Sequence, residues 1–484
     1  MTSFPTTLAD LHRDDVRDAN SLYANIKALR KSALSIPNRL RSILQDAEFV
    51  QQVSRSYGLP LVANERCGSW YIHPADKVGS AYFKSTDGHH GQWDFSLRRL
   101  NLQLLPILNQ YGGAVVVDST RRGKSLPDAF SKTVPIWVAV IHRALFPNMP
   151  WTHVLQRPPP PAQLGESEIS QIDARLDEFV QAFTRLELDL EKLRVQLQKP
   201  IQISWAINGY FDAAGRLKNG IPDSSPLEED HSRSCHQLVL CSASRRVRGA
   251  EISEGGYIQG AGDDSEGWSR GLTPGVFWKY QDELLQAPED RLPTLIPRLS
   301  QQEDQDDTGG RETVKLAHAT NIQIGTGPRS TSGLFDLVIN CHGEDMDGSP
   351  TTMNLGCRGG KLGSKDLRGK LHQVKDRVER VLRGNPNGRI LITCSSGKDL
   401  SVGVVVMILC VFYDDDAGAT SLSSLSTFSL NQKTGSLRPV TDVVDVDKHL
   451  VKQRLAWITS SKPDANPSRA TLQAVNSYLI QRPD

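Results

Sequence analysis

The sequence lacks any long uninterrupted run of apolar residues, and its first residues contain neither an apolar centre nor an arginine-rich amphipathic pattern. A membrane-spanning helix needs about 20 predominantly apolar residues in succession. A secretory signal peptide needs a shorter apolar centre behind a basic start. The sequence therefore predicts a cytoplasmic protein that has no membrane partner.

Cysteine is scarce, since the seven residues are scattered and no two of them form a Cys-x-x-Cys pair. This spacing argues against a disulfide framework or a zinc knuckle and indicates a reducing compartment. A surplus of one charge is also lacking, because 56 basic side chains stand against 55 acidic ones. Any contact with nucleic acid must therefore come from local clustering of charge.

Local basic clustering occurs near the N-terminus. Between Ala19 and Gln45 there is no acidic residue, and basic side chains surround apolar ones at helical spacing. The segment predicts a basic amphipathic helix that is broken near Pro37. A solvated surface helix and a contact with nucleic-acid phosphates both fit this pattern. The basic residues in question are Lys27, Arg30, Lys31, Arg39 and Arg41.

The segment from Glu166 to Gln198 predicts one long helix, because apolar residues recur in it at alternating spacings of three and four. The seam is too short for a stable coiled-coil dimer, so packing within one chain, and a monomer, are favoured. The length of 484 residues predicts two or three domains. The acidic stretch 301–310, which ends in two glycines, belongs to no recognisable element and marks the boundary between residues 1–300 and 312–484.

Beyond residue 312, strand-like segments alternate with a helical stretch, as in an α/β layer with parallel strands. The stretch 414–437, rich in serine and glycine, predicts a loop insertion. The string GRILITCSSGKDLSVGVVV predicts a strand, a tight loop and a buried helix, an arrangement whose backbone N–H groups suit a tetrahedral anion. The loop consists of Cys394, Ser395, Ser396, Gly397, Lys398, Asp399, Leu400 and Ser401.

This loop resembles that of the dual-specificity phosphatases, which reads His-Cys-x-x-Gly-x-x-Arg-Ser. Cys394, Gly397 and Ser401 match the pattern, whereas Thr393 stands at the histidine position and Leu400 at the arginine position. Leucine cannot replace the bidentate guanidinium that clamps the phosphoryl group. We therefore expect phosphatase chemistry to be crippled. Residual anion binding and a purely structural role of the loop both remain open.

An earlier segment, DSTRRGKSL, repeats this plan between an apolar strand and an apolar helix. Its basic side chains make it the better furnished phosphate loop. Asp118 occupies the place of the cysteine and is a candidate general base or magnesium ligand. The remaining loop residues predicted to bind phosphate are Ser119, Thr120, Arg121, Arg122, Gly123 and Lys124.

Two further polar segments accompany this loop. FKSTDGHHGQWDFSLRRLNL places Lys84, Asp87, His89 and Arg98 around a turn. These residues either face the same anionic ligand or are solvated above packed aromatic residues. YIQGAGDDSEGW places Asp263 and Asp264 in a glycine-rich turn, where they are candidate magnesium ligands or plain turn residues.

The chain as a whole resembles the fungal and plant initiator-tRNA ribosylphosphate transferases. The resemblance implies transfer of a phosphoribosyl group from 5-phosphoribosyl 1-diphosphate to the 2′-hydroxyl of adenosine-64 in initiator tRNA. It also implies a magnesium requirement and a phosphatase-like C-terminal domain without phosphatase activity. The segments that carry it are STDGHHGQWDFSLRRLNL, VVVDSTRRGKSLPDAFSKTVPIW, YIQGAGDDSEGWSRGLTPGVFW and ITCSSGKDLSVGV.

The residues fit the chemistry that this resemblance implies. Cations must stabilise the departing diphosphate, for which Arg121, Arg122 and Lys124 are candidates. Asp118 and Asp87 are candidates for the base that activates the attacking hydroxyl, with His89 or His90 as the alternatives. The expected fold is α/β: an N-terminal mixed α/β catalytic domain with a long helix, and a C-terminal domain like that of the dual-specificity phosphatases. The basic patch between residues 27 and 41 would suit recognition of the tRNA stem by shape and phosphate contacts. The competing hypothesis is a non-catalytic adaptor that binds phosphate or RNA.

Overall fold

The computed structural model describes most of the chain. The described residues are 34–121, 123–160, 162–209, 234–247, 253–254, 256–306, 313–316, 318–327, 334–342, 351–414, 436–437, 446–462 and 464–480. Lys27, Arg30 and Lys31, which are predicted to bind tRNA, lie outside these residues, as does Arg122 of the first phosphate loop.

Five parallel strands form the first sheet: β1 (Leu61–Asn64), β2 (Lys77–Ala81), β3 (Gly113–Asp118), β4 (Ile201–Ile207) and β5 (His236–Ser242). Their order across the sheet is β2-β1-β3-β5-β4. The central strand β3 is entirely buried, and its valines suit a strand that is covered on both faces. The chain continues from β1 to β2 on one side, while β3 lies on the other. The carboxyl ends of β1 and β3 therefore flank the crevice in which open α/β sheets bind ligands.

Helices cover both faces of this sheet. Ala114 and Val116 of β3 belong to one hydrophobic cluster, and Val115 and Val117 belong to another. Helices α2 to α5 pack on the first cluster, whereas α1 and α7 to α9 pack on the second. The helices are α1 (Ile36–Tyr57), α2 (Leu104–Tyr111), α3 (Val134–Leu145), α4 (Glu166–Thr184), α5 (Leu190–Leu197), α6 (Ser265–Trp268), α7 (Pro274–Lys279), α8 (Gln281–Gln286) and α9 (Leu292–Asp306). A short hairpin joins β6 (Ser253–Glu254) to β7 (Tyr257–Ile258).

The prediction of one long helix is wrong, because the structure divides that segment into α4 and α5. Glu187 lies between them with a φ of 53°, a conformation that an α-helix does not contain. Asp189 then caps α5 by accepting a hydrogen bond from the backbone N–H of Lys192 at 3.0 Å. Phe183 and Leu197 are both buried, so the apolar seam still packs although the backbone is interrupted. Two helices joined by a short turn thus keep the apolar spacing that predicts a single helix.

The break predicted near Pro37 is in fact the start of a helix. Helix α1 begins at Ile36, and Ser35 caps it by accepting a hydrogen bond from the backbone N–H of Asn38 at 3.4 Å. Proline is well tolerated in the first turn, where its missing N–H would have no partner in the helix. The helix ends at Gly58, whose φ of 63° is typical of a glycine C-cap.

The second sheet contains β8 (Val314–Lys315), β9 (Ile322–Thr326), β10 (Leu337–Asn340), β11 (Thr352–Asn354) and β12 (Ile390–Cys394). Its order is β11-β10-β12-β9-β8, and only β8 pairs in antiparallel orientation. The accompanying helices are α10 (Gly360–Gly384), α11 (Leu400–Phe412), α12 (Lys448–Ser461) and α13 (Arg469–Leu479). The predicted α/β fold with mainly parallel strands is thus confirmed. Among the described helices, none combines the length and the apolar character needed to cross a bilayer.

Two segments near the second sheet differ from or refine the predictions. The expectation that the acidic stretch 301–310 forms no element is wrong for its first half, because α9 continues to Asp306. Glutamine and glutamate are good helix formers, so an acidic composition alone does not end a helix. The ends of the predicted loop insertion pair with each other as β13 (Tyr413–Asp414) and β14 (Ser436–Leu437).

Candidate active site

The carboxyl end of β3 carries a buried carboxylate. Asp118 has no exposed surface, and it accepts hydrogen bonds from Asn64 Nδ2 at 2.8 Å and from the backbone N–H of Ser119 at 2.7 Å. Asn64 is the last residue of β1, so the parallel pairing of β1 with β3 brings these side chains together. A buried charge needs such donors, because an unpartnered one is costly to remove from water.

Arg66, two residues beyond β1, neutralises Asp118. Its Nη2 lies 2.8 Å from Asp118 Oδ1, and its Nη1 lies 3.1 Å from Oδ2 of the buried Asp263. The backbone carbonyl of Ser119 accepts a hydrogen bond from Arg66, and the Ser119 hydroxyl donates one to Asp263. Burial lowers the pKa of Arg66, but the charges of Asp118 and Asp263 outweigh burial and hold this pKa above its ordinary value. Arg66 is therefore a permanent cation that joins three segments of the chain.

Cys67 and Tyr71 complete this buried network. The Cys67 thiol donates to Asp118 Oδ1 at 2.9 Å, and the Tyr71 hydroxyl donates to Ser119 Oγ at 3.2 Å. The backbone N–H of Gly262 donates to the Tyr71 oxygen at 2.8 Å. Burial raises the pKa of the Cys67 thiol and of the Tyr71 phenol. Both groups therefore stay protonated, and Cys67 is not prepared to act as a nucleophile.

Two buried polar side chains hold the backbone of the first phosphate loop. Ser244 Oγ accepts a hydrogen bond from the Thr120 N–H at 3.0 Å and donates one to the Thr120 carbonyl at 2.7 Å. Gln259 accepts from the Gly123 N–H at 3.1 Å and donates to the Lys124 carbonyl at 2.7 Å. The loop therefore has a shape set by residues that lie far from it in the sequence.

The cations of this loop pair with acids on different neighbouring segments. Arg121 forms an ion pair with Asp264, and Lys124 Nζ lies 2.8 Å from Asp128 Oδ2. Arg121, Lys124 and Asp264 are partly or largely exposed. Ion pairs of this kind contribute about 1 kcal/mol or less, so an incoming diphosphate can replace the carboxylates.

Asp128 joins the first phosphate loop to the polar segment FKSTDGHHGQWDFSLRRLNL, residues 83–102. Besides Lys124, it contacts Lys132 Nζ at 3.1 Å and His89 Nε2 at 3.7 Å. Burial raises the pKa of Asp128, but the two lysines lower it by more, so this pKa lies below its ordinary value. The structure thus brings His89 and Lys124 together through an acid that sequence analysis does not single out.

Asp87 lines a small pocket with Lys84, Asp94 and Arg99. Burial raises the pKa of Asp87; the charge of Arg99 opposes this effect and the charge of Asp94 adds to it. A carboxylate whose pKa is raised in this way suits proton transfer. Lys84 and Asp87 therefore lie together, whereas Arg98 is not among the residues that line the pocket.

Arg99 also connects the N-terminal and C-terminal parts of the chain. Its Nη2 donates to Asn466 Oδ1 at 2.8 Å, and the Asn466 N–H donates to the backbone carbonyl of Lys398 at 2.9 Å. Lys398 belongs to the C-terminal loop, and its Nζ lies 3.4 Å from Asp464 Oδ2. The pocket around Asp87 is consequently a neighbour of the C-terminal loop.

The C-terminal loop connects β12 to α11 with no intervening element, as predicted. Cys394 Sγ lies 3.1 Å from Ser401 Oγ and 3.8 Å from Ser396 Oγ. Burial raises the pKa of Cys394, but hydrogen bonds from Ser401, from the backbone of Asp399 and from Ser396 lower it by more. The net pKa lies below the ordinary value of a thiol. The loop therefore still stabilises the thiolate form of Cys394 relative to an ordinary thiol, although it has no arginine.

Leu400 occupies the position of the phosphatase arginine, and its side chain is buried in the core of the second sheet. Asp399 is bound to α13, because its Oδ1 accepts from the Ser468 N–H at 2.8 Å and from Thr471 Oγ1 at 2.6 Å. Ser395 is exposed, and Gly397 adopts a φ of 63° in the turn. The loop keeps the phosphatase backbone plan but offers no guanidinium of its own to a phosphoryl group.

Arg39, one of the residues predicted to bind tRNA, reaches the segment that carries the predicted magnesium ligands. Its Nη1 donates to the carbonyl of Ala261 at 3.0 Å, and its guanidinium lies 5.2 Å from the centre of the Trp268 ring. Burial lowers the pKa of Arg39. Arg41 is exposed on α1, where its side chain is accessible to an external anion.

The predicted magnesium ligands are both engaged with arginines. Asp263 is buried against Arg66 and Ser119, and Asp264 is paired with Arg121. Among the described residues, no group of three or more His, Cys, Asp or Glu side chains is arranged to hold a metal ion.

Two family models match the chain in succession. The Rit1 N-terminal domain matches residues 29–301, and the Rit1 DUSP-like domain matches residues 351–479. The chain belongs to the Rit1 family. The first Rit1 range contains β1 to β5 and the network around Arg66, and the second contains the loop 394–401. The predicted family and the resemblance of the C-terminal part to the dual-specificity phosphatases are both confirmed.

Two relatives extend the Rit1 match along nearly the whole chain. The tRNA A64-2′-O-ribosylphosphate transferase of Saccharomyces cerevisiae is 30% identical over 503 residues, which cover 94% of each chain. An uncharacterized protein of Schizosaccharomyces pombe is 34% identical over 462 residues, which cover 92% of this chain and 94% of the relative. No solved structure gives a significant match to the chain.

Sequence analysis does not single out Asn64, Arg66 or Ser244, although they build the centre of this Rit1 site. Each stands at or just beyond the carboxyl end of a strand next to β3. Their position after predicted strands is the sequence feature by which they could be found, because ligands bind at that edge of the sheet in open α/β folds. The order of the strands, which the sequence does not reveal, decides which of these residues meet.

Proposed function

We propose that this member of the Rit1 family transfers the 5-phosphoribosyl group of 5-phosphoribosyl 1-diphosphate to the ribose 2′-hydroxyl of adenosine-64 in cytoplasmic initiator methionine tRNA. The modification marks this tRNA for initiation and against elongation, and the protein acts as a cytoplasmic monomer. The observation that carries the proposal is the similarity to a tRNA A64-2′-O-ribosylphosphate transferase over 94% of both chains. That similarity covers both phosphate loops and the Arg66 network.

The first phosphate loop is the donor site in this proposal. Negative charge grows on the diphosphate as it leaves the anomeric carbon, and nearby cations stabilise that charge. Arg121 and Lys124 carry such charge on partly exposed side chains, and their present acidic partners are replaceable. Arg66 stays bound to its two buried carboxylates, so it positions the loop and does not reach the ligand.

Asp87 is the better candidate for the general base. Asp118 already accepts hydrogen bonds from Asn64, Arg66 and Ser119, which leaves neither oxygen free to take a proton. Asp87 is only half-buried and its pKa is raised, mainly by burial. Removal of the proton from the attacking 2′-hydroxyl is therefore assigned to Asp87, and Asp118 is a positioning residue.

Magnesium accompanies the donor in this proposal and is not held by the protein alone. Magnesium in such sites is bound through one or two carboxylates together with the phosphates of the substrate. Asp264 has an exposed carboxylate at the turn, whereas Asp263 is occupied by Arg66 and Ser119. Asp264 is consequently the side chain that is available to supply a carboxylate oxygen.

Transfer of a labelled phosphoribosyl group to an initiator tRNA transcript tests the proposal. Wild type is expected to label the tRNA, and a transcript with a 2′-deoxy residue at position 64 is expected to stay unlabelled. Arg121→Ala is expected to reduce labelling by at least tenfold, because it removes a cation from the leaving diphosphate. Arg143→Ala is the matched control, since its pair with the exposed Asp177 lies outside this loop.

The same experiment separates the transferase from the competing adaptor. Tight binding of initiator tRNA without labelling from any phosphoribosyl donor would support the non-catalytic adaptor. Labelling at a position other than 64, or labelling that persists with the 2′-deoxy transcript, would overturn the proposed acceptor. Equal activity of wild type and Arg121→Ala would show that the first phosphate loop is not the donor site.

A further inference from the structure

Helix α10 concentrates positive charge in a chain that is otherwise nearly neutral. Its 25 residues contain eight basic and three acidic side chains, a surplus of five, whereas the surplus of the whole chain is one. The basic residues are Lys361, Lys365, Arg368, Lys370, Lys375, Arg377, Arg380 and Arg383. The rest of the chain therefore carries a net negative charge, and α10 is a local exception.

The charge lies on one side of the helix because the other side forms core. Leucines and valines at positions 367, 371, 374, 378 and 382 are buried in the hydrophobic cluster of the second sheet. Lys365, Arg368, His372 and Arg380 are exposed on the opposite side. From Lys365 to Arg380 this basic face extends for about 22 Å, at 1.5 Å per residue.

Two of the three acidic residues of α10 are already neutralised, whereas the third, Asp376, is exposed on the helix. Asp366 is bound by Arg358, which lies outside the helix, with Nε at 2.9 Å and Nη2 at 2.8 Å from its carboxylate. Glu379 is paired with Arg383 at 2.5 Å. Lys365 and Arg368 form no ion pair with any other residue that the structure describes. Their charges are consequently available to an external anion.

The basic face begins beside the C-terminal loop. Ser364 Oγ at the start of α10 lies 3.0 Å from Thr471 Oγ1, which donates to Asp399 Oδ1 of that loop at 2.6 Å. The same loop is joined to Arg99 of the N-terminal part through Asn466. The first residues of the basic face therefore share a fixed frame with the pocket around Asp87.

We propose that the basic face of α10 binds the phosphate backbone of an RNA stem, and that it holds the tRNA acceptor for the reaction. This inference rests on the proposed function. A row of cations about 22 Å long, without exposed aromatic residues, fits the regular negative charge of a duplex backbone. A-form RNA is recognised mostly by shape and by contacts to phosphate and 2′-hydroxyl groups, which such a face provides.

The test is binding of unmodified initiator tRNA, measured across a range of salt concentrations. The variant combines Lys365→Gln, Arg368→Gln and Arg380→Gln in the full chain. Loss of three phosphate contacts is expected to reduce the slope of log K against log salt by roughly three and to weaken binding at least tenfold. In the transfer assay, KM for tRNA is expected to rise while kcat at saturating tRNA is retained.

A matched control removes the same charge elsewhere. The control combines Arg185→Gln, Lys192→Gln and Lys199→Gln at exposed positions of a stretch that also contains acids at 187, 189 and 191. This control is expected to keep the affinity and the salt slope of wild type. The three α10 substitutions are also made singly, each expected to lower the slope by about one, in case the triple variant does not fold.

Several outcomes would overturn the inference. Wild-type affinity and salt slope in a folded triple variant would exclude α10 from RNA binding, even if wild type transfers phosphoribosyl normally. Equal losses in the control would show that only total charge matters. Binding of anionic lipid vesicles or an acidic peptide by α10, with no change in tRNA binding, would assign the face to another partner. Failure of transfer in wild type that still binds tRNA through α10 would instead count against the proposed function.

Discussion

The guanidinium of Arg66 holds the carboxylate of Asp118 from across the crevice between β1 and β3, with Nη2 at 2.8 Å from Oδ1. Asp118 is fully buried, and 22% of the Arg66 side chain is exposed. Neither charge can be buried without the other, because removing one partner leaves an uncompensated charge inside the protein. The first loop that follows β3 therefore depends on a residue from the neighbouring strand.

Replacement of Arg66 by alanine is expected to destabilise the protein by about 3 to 5 kcal/mol. The variant leaves Asp118 and Asp263 buried without their shared cation. Urea unfolding followed by circular dichroism measures the change. Asp177→Ala is the control, because Asp177 pairs with Arg143 and is itself exposed. This variant is expected to lose about 1 kcal/mol or less of unfolding free energy. Similar losses of unfolding free energy in both variants would show that the buried network stabilises the protein no more than an exposed ion pair does.

Gly260 tests whether close backbone contact shapes the first phosphate loop. Its φ is 67°, and a Cβ atom added there would lie 2.8 Å from the carbonyl oxygen of Thr120. Gly260→Ala is therefore expected to displace the loop and to raise KM for the phosphoribosyl donor at least tenfold. Gly58→Ala is a matched control, because Gly58 has a φ of 63° but no atom within 4 Å of the added Cβ.

Both glycine variants carry the same backbone penalty of about 1 to 2 kcal/mol for a left-handed conformation. Thermal unfolding is thus expected to show a loss in each, while only Gly260→Ala changes donor binding. Unchanged donor KM in a folded Gly260→Ala protein would mean that the loop does not need this contact. A raised KM in Gly58→Ala would show that general destabilisation explains the effect.

Strands β3 and β12 could be predicted because their composition is decisive. β3 contains three successive valines, and β12 contains two isoleucines and a threonine. Small and polar residues follow each strand directly, and such runs form buried strands next to functional loops. The loop 394–401 could be predicted for the same reason, since strand, loop and helix are contiguous. In these segments, local propensity and the final fold agree.

Long-range contacts could not be predicted in this way. Arg66 binds Asp263, which lies 197 residues further along the chain, and no local pattern relates the two. The pairing of Arg121 with Asp264 depends equally on how the turn at 260–264 folds back over β3. A φ of 53° at Glu187 breaks the predicted long helix without changing its apolar spacing. Strand order and single backbone angles are decided by the whole fold.

Hydrolysis of an aryl phosphate tests the C-terminal loop. Wild type is expected to show no turnover above background, because the buried Leu400 replaces the arginine that would bind the phosphoryl group. Cys394→Ser is expected to behave like wild type in this assay, although the pKa of Cys394 is lowered. Turnover that disappears in Cys394→Ser but persists in Cys357→Ser, whose cysteine lies outside the loop, would identify a working phosphatase.

Asp87 gives the reaction a characteristic pH dependence. Burial raises the pKa of its carboxyl group, so the group stays protonated to a higher pH than an ordinary aspartate. As a general base, Asp87 acts only when deprotonated, and kcat is therefore expected to fall as the pH drops through this raised pKa. In a plot of log kcat against pH, this acidic limb is expected above about pH 4, where an unperturbed aspartate titrates. Asp87→Asn is expected to lower kcat by about 10² to 10⁴ and to abolish the limb.

Asp94→Asn is the control that separates titration of Asp87 from a general effect of charge. The negative charge of Asp94 raises the pKa of Asp87, so its removal is expected to move the acidic limb to lower pH. The plateau of kcat above the limb is expected to stay near the wild-type value, because the plateau is by definition the pH range in which the base is deprotonated. A limb that keeps its position in Asp94→Asn, or that survives in Asp87→Asn, would show that another group is the base. Such a result would return Asp118 and His89 to consideration, and the same profile in variants at those positions would decide between them.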